Sequence, residues 1–121
     1  MKEINVNGEI YILKSDIKIS EDKAKPKGTM PYRIIRTYSA GVFAGYIEKR
    51  TGKEAKLKDA RRLWYWDGAN SLSDLAKNGV KSPDKCKFSC PVDCEVTEVI
   101  EIIEVTEKAK KIIDGVVEWV K

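Results

Sequence analysis

Apolar and polar positions alternate with a period of two over much of the first half of the chain. Glu3 to Val6 and Glu9 to Leu13 are short β-rich runs on either side of Asn7-Gly8. That pair adopts the positive φ values of a tight two-residue turn, so residues 1–14 are predicted to form a β-hairpin. Residues 15–31 carry Lys, Asp, Ser, Pro26, Gly28 and Pro31 with little apolar pattern and read as a loop or linker. Alternation returns at Tyr32. Extended backbone sets Ile34, Arg36, Tyr38, Val42 and Tyr46 on one face and Ile35, Thr37, Ser39, Phe43 and Ile47 on the other, with Ser39-Ala40-Gly41 as the bend of a second hairpin. Gly45 predicts a bulge or the close approach of another backbone. Thr51-Gly52 makes the next turn, and Glu54 to Trp66 gives one long strand or two short ones.

The grammar changes in the second half. Ser71-Leu-Ser-Asp-Leu-Ala-Lys-Asn-Gly79 has a serine N-cap, an acid in its first turn and a glycine stop, the signature of a short helix. Thr106-Glu-Lys-Ala-Lys-Lys-Ile-Ile-Asp-Gly115 repeats it, with Ala109, Ile112 and Ile113 toward the core. Between them, Val96 to Thr106 has acids at every third position, which fits neither strand nor helix, but eight of its eleven residues are β-branched. It is predicted as a strand kinked or bulged once. Val116 to Val120 reads as a last edge strand. The pattern describes one α+β domain over residues 1–121: a hairpin at 1–14, a loop at 15–31 and a core at 32–121. Its sheet is mainly antiparallel and partly closed, with two short helices.

Composition removes several functions. The 121 residues are 42% hydrophobic and 35% charged, with three cysteines and no histidine. No apolar run reaches the length of a membrane-spanning helix, and the first residues lack the apolar stretch of a secretory signal, so a cytosolic domain that does not engage membranes is expected. Without histidine there is no Ser-His-Asp triad, no Cys-His dyad and no His-ligated zinc. No spacing singles out a pair of acids or a lysine as a general base either. A non-catalytic protein without a cofactor is expected. Cys86, Cys90 and Cys94 have a C-x₃-C-x₃-C spacing that suits no zinc knuckle and no helical thiol cluster across Pro91, so they are expected to be free thiols and no metal site is assigned.

Charge is segregated along the chain. Residues 23–62 hold twelve basic side chains against three acids, a net of +9, and residues 93–107 hold six acids and no base. The blocks either pair across the fold or between subunits, or they leave a positive surface for an anion. Every arginine lies between residues 33 and 62, and arginine holds phosphate with a planar fork.

Ala60-Arg-Arg-Leu-Trp-Tyr-Trp-Asp-Gly68 is the densest candidate. On a strand, Arg62, Trp64 and Trp66 share one face and Arg61, Leu63 and Tyr65 the other, although which arginine faces a site is open. A guanidinium beside indoles offers a phosphate clamp and a surface for stacking a base; the plainer alternative is a core strand. Arg36, Tyr38 and Ser39 form a second candidate, in which the bend presents backbone N–H groups. Asn70, just before the first helix, is a candidate for a base edge.

The run Arg36-Thr-Tyr-Ser-Ala-Gly-Val-Phe-Ala-Gly45, with Ala60-Arg-Arg-Leu-Trp-Tyr-Trp-Asp-Gly-Ala69, Ser71-Leu-Ser-Asp-Leu-Ala76, Cys86-Lys-Phe88, Val99-Ile-Glu-Ile-Ile103 and Thr106-Glu-Lys-Ala-Lys110, resembles a family of small uncharacterised proteins from phage and prophage genomes. The likeness covers about residues 32–119. It implies a phage protein at work in the cytoplasm of a bacterial host. The chain is also similar, in size and residue supply, to phage sponges that oligomerise and sequester cyclic nucleotide immune signals with arginines and aromatics. The leading expectation is therefore a homo-oligomeric anti-defence sponge for a phosphate-bearing, nucleotide-like small molecule. Arg36, Arg61 or Arg62 would hold phosphate; Tyr38, Trp64 or Trp66 would stack; Ser39 and Asn70 would add polar contacts. The alternatives are a phage protein that binds single-stranded nucleic acid, and a structural component of the virion or its assembly.

Overall fold

The computed structural model describes residues 22–120. The hairpin predicted at 1–14 and the linker before residue 22 lie outside the described residues. The rest is an α+β domain. Six strands, β1 (Tyr32–Thr37), β2 (Val42–Thr51), β3 (Glu54–Tyr65), β4 (Lys87–Phe88), β5 (Val92–Val96) and β6 (Val99–Glu104), accompany two helices, α1 (Leu72–Asn78) and α2 (Glu107–Gly115). A single 3₁₀ turn spans Pro83–Lys85. The sheet is antiparallel in the order β4-β3-β2-β1-β6, and β5 follows β4 along the same edge of β3. It is not closed. Its two edges are nevertheless joined by two residues: the chain leaves β5 at Val96 and enters β6 at Val99, crossing the β2–β3 turn, where the Val99 N–H donates to the Lys53 carbonyl at 2.9 Å. Such a short link requires the sheet to curl, so one of its faces is an inner face.

Both faces are apolar, as the alternation through residues 32–47 predicts. The helix face packs Tyr32, Ile34, Ala44, Leu63 and Phe88 against Leu75 and Ala76 of α1 and Ala109 and Ile113 of α2. The inner face collects Ile35, Phe43, Ala55, Leu57, Ala60, Val96 and Val99. The expected turn is present at Ser39-Ala40-Gly41, and the one expected at Thr51-Gly52 lies one residue on, at Gly52-Lys53, where Thr51 pairs with Glu54. Glu54 to Tyr65 is one long strand, interrupted by Asp59 in the left-handed region (φ 49°). Gly45 makes the predicted close approach: a Cβ there would lie 2.6 Å from the Ala60 Cα.

Both helices begin where the caps predict; α1 ends at Gly79, while α2 runs through Gly115 to a cap at Val116. The Asp74 N–H donates to Ser71 Oγ at 3.1 Å, and the Ala109 N–H donates to Thr106 Oγ1 at 3.1 Å. Two predictions fail. Val96 to Thr106 is no single bulged strand, because Thr97-Glu98 turns it from one sheet edge to the other. Val116 to Val120 forms no strand; it makes only a parallel bridge between Glu118 and Phe88, with Val117 and Val120 facing solvent where no second partner completes a ladder.

Candidate functional site

The slip at Asp59 decides which arginine faces inward. Ala55 and Leu57 point to the inner face, and strict alternation would continue with Asp59 and Arg61. Asp59 takes up one residue in a bulge, so Ala60 and Arg62 point inward and Arg61 turns to the helix face. There Arg61 is buried, 6% exposed. Its Nε donates to the Ser89 carbonyl and its Nη1 to the Ile113 carbonyl, each at 2.7 Å, and its guanidinium lies 5.6 Å from the Phe88 ring centre. Burial lowers its pKa. Arg61 is a bridge between strand and helix, turned away from the face that holds Arg62.

Arg62 is different. Its guanidinium carbon sits 4.6 Å from the centre of the Phe43 ring, its cross-strand partner, and 5.3 Å from the centre of the Trp64 ring, two residues along the strand. Among the described residues it makes no ion pair, and its Nε is buried without a hydrogen-bond partner. A buried donor without a partner is costly, and here two aromatic faces hold the half-buried guanidinium in place. Trp64 is 59% exposed, so the platform reaches solvent. Cys94 lies on the same face; burial pushes its thiol up, and the Arg62 charge pulls the other way.

The remaining candidates do not join this group. Trp66, beyond the end of β3, is half-buried against the helix-face core with Ala69 and Leu72, so it shares no surface with Trp64. Arg36 pairs with Val42, which packs on the helix face, and its Nε donates to Glu101 Oε1 at 2.8 Å; it is spent on a carboxylate on the side away from Arg62. Tyr38 is 78% exposed, and its N–H donates to the Glu98 carbonyl at 2.9 Å. Ser39 Oγ is held by the Glu98 carboxylate. Asn70 stands in the loop that caps α1, where its N–H donates to Asp74 Oδ2 at 3.1 Å, again on the helix side. Of the eight candidates the fold brings together Arg62 and Trp64.

Phe43 completes the platform and was not singled out from the sequence. Its signal was there: Phe43 and Arg62 each lie eight residues from the turn pair Thr51 and Glu54, and the two irregularities between, near Gly45 and near Ile47, cancel.

The two charge blocks meet within the fold. Lys23 pairs with Glu104 at 3.0 Å, Lys58 with Asp93 at 3.3 Å and Arg36 with Glu101, while Glu107 accepts from the Lys25 N–H at 2.9 Å. Among the described residues no group of three or more acids and cysteines stands ready for a metal, and the three cysteines are free. A family model described as a domain of unknown function (DUF6948) matches residues 30–113, more than half the chain. No curated protein and no solved structure matches it.

Proposed function

The chain belongs to the DUF6948 family of domains of unknown function, and from its own surface we propose that it is a non-catalytic protein that binds and sequesters a phosphate-bearing nucleotide. One observation carries the proposal: Arg62 is stacked between Phe43 and exposed Trp64, has a buried donor without a partner, and makes no ion pair among the described residues. A cation kept in place by rings and left without a counter-ion is complementary to an anion that brings a ring of its own. The phosphate meets the guanidinium and the base lies on the outer face of Trp64, where one stacked base is worth ~1–3 kcal/mol.

In this proposal the ligand is a cyclic nucleotide immune signal, the protein a phage anti-defence sponge, and its place of action the bacterial host's cytoplasm. Among the described residues no helix is long and apolar enough to cross a membrane. The open platform covers one side of a ligand, so a homo-oligomer supplies the other side. Because the acidic strand is engaged inside the fold, apolar contact and not opposite charge drives that self-association.

Isothermal titration against cyclic dinucleotides, cyclic trinucleotides and cyclic ADP-ribose isomers tests the proposal, with native mass spectrometry reporting subunit number and carried-over ligand. Binding of at least one compound is expected, with a loss of about tenfold or more in Arg62→Gln. A wild-type protein that gives no heat with any of them retires it. The openness of the platform favours a second reading, single-stranded DNA or RNA threaded over Trp64. That reading predicts polymer affinity falling steeply with salt.

A further inference from the structure

Among the described residues five cations lie over aromatic rings, and three of them are engaged elsewhere as well. Lys27 pairs with Asp59, Lys110 pairs with Asp114, and Arg61 is held by two carbonyls. The other two, Arg62 and Lys87, make no ion pair among the described residues. The Lys87 Nζ lies 5.3 Å from the centre of the Trp119 ring, the same distance that separates the Arg62 guanidinium from the Trp64 ring.

These two pairs share one face. Leu63 pairs with Phe88 and both pack on the helix face, so Lys87, next to Phe88 in β4, turns to the opposite face with Arg62. Tyr65 pairs with Lys87, and Trp64 is the extra residue of the bulge between the two pairs. Residues 117–119 extend the surface past β4. Glu118 bridges to Phe88 in parallel and the Trp119 N–H donates to the Phe88 carbonyl at 2.9 Å, which sets Val117 and Trp119 on the Lys87 side. Glu118 itself turns to the helix side, where its charge acts on Arg61. The Ser89 N–H donates to the Arg62 carbonyl at 2.9 Å, and Ser89 is two residues from Lys87, so the two cations are diagonal neighbours with backbones ~7–8 Å apart. Tyr65 and Trp119 are 50% and 42% exposed, and with Trp64 and Val117 they gather the large apolar side chains that this face shows to solvent around both cations. Clustered apolar exposure, unlike scattered exposure, marks a contact site.

We infer that Lys87 and Trp119 are the second half of the site begun by Arg62 and Trp64, and that the ligand contains two linked nucleotides, closed in a ring or joined in a strand. The inference rests on the platform being the ligand site, as proposed above, and adds the number of nucleotide units that one chain holds. Each half couples one cation to one indole, the complement of one phosphate and one flat base. A single nucleotide engages one half and leaves the other cation unpaired. Two linked nucleotides gain a second phosphate contact and a second stack without a second loss of translational freedom.

The test extends the calorimetric panel on the full chain with linear dinucleotides and with the matching mononucleotides. Compounds with two linked nucleotides are expected to bind about tenfold or more tighter than the mononucleotide of the same base, and the tighter of the cyclic and linear forms names the source, a signal molecule or a strand. Lys87→Gln and Trp119→Leu are each expected to weaken the dinucleotide about tenfold and to leave the mononucleotide unchanged, whereas Arg62→Gln weakens both. Circular dichroism checks that each variant is folded; Lys87 is exposed, so its variant carries the test should Trp119→Leu not fold. Equal affinity for one and two nucleotides overturns the second half and leaves the Arg62–Trp64 platform as the ligand site. So does a dinucleotide affinity indifferent to either substitution, or heat from single nucleotides and cyclic ADP-ribose isomers alone. Silence from every compound overturns both readings.

Discussion

Arg61 and Arg62 are neighbours with opposite fates. Arg61 is buried on the helix face, where two carbonyl groups replace its water and one of them, from Ile113, lies at the end of α2. A helix C-terminus carries partial negative charge, and together with the Asp114 and Glu118 carboxylates it favours the buried cation there. Truncation leaves both carbonyls without this donor and opens a hole beside Phe88. Arg61→Ala is expected to lower stability by about 3 kcal/mol, and Arg61→Lys to recover little, since one ammonium cannot bridge both acceptors. Urea unfolding checks this; an Arg61→Ala midpoint equal to that of the wild type would show that the bridge is idle. Arg62→Gln is expected to behave in the reverse sense, sparing stability and removing ligand affinity.

At the level of elements, the two helices are short and depend on their ends. Thr106 serves both. Its Oγ1 accepts the Ala109 N–H at the start of α2 and donates to the Lys77 carbonyl, at 2.7 Å, in the last turn of α1. The Thr106 N–H also donates to the Ala76 carbonyl at 3.0 Å, so the end of one helix is stitched to the beginning of the next. Thr106→Ala removes a cap and a bridge together. It is expected to cost about 2 kcal/mol, against about 1 for Ser71→Ala, which removes only a cap. Thermal or urea unfolding of the two variants side by side checks the ordering, and equal losses would mean that the Lys77 bridge adds nothing.

Across the whole molecule, acidic and basic blocks far apart in sequence lie on adjacent strands. The carboxyls of Asp93, beside the Asp59 N–H and the Lys58 ammonium, and of Glu104, beside the Lys23 ammonium, are held below their ordinary values of 3.8 and 4.5. Asn78 and the Asn70 N–H hold the Asp74 carboxyl down in the same way. A carboxyl whose pKa is lower in the folded chain stabilises above its unfolded value and loses that contribution as the pH falls through and below it. Stability is therefore expected to be nearly level between about pH 5.5 and 8, where the chain has no histidine to titrate, and to fall from about pH 4.5 downward. A series of urea midpoints against pH checks the shape, and a decline beginning near pH 6.5 would contradict it. The pairs are exposed, so added salt should flatten the decline.

Much of this protein was legible in its sequence because the interactions concerned are local. Caps at Ser71 and Thr106, the stop at Gly79, turns at residues 39–41 and around Gly52 and the two-faced alternation through Ile34 and Ile35 each depend on residues within a few positions of one another. The ring-and-cation chemistry of residues 61–66 was legible too, but its arrangement was not. One residue in a left-handed bulge at Asp59 exchanges the faces of Arg61 and Arg62, and the end of β3 at Tyr65 removes Trp66 from the face of Trp64. Register slips of that kind are set by what packs several strands away, as are the pairing of Phe43 with Arg62, the break at Thr97-Glu98 and the meeting of the two charge blocks. Local propensity determined which elements form; only the closure of long-range contacts decided which side chains meet.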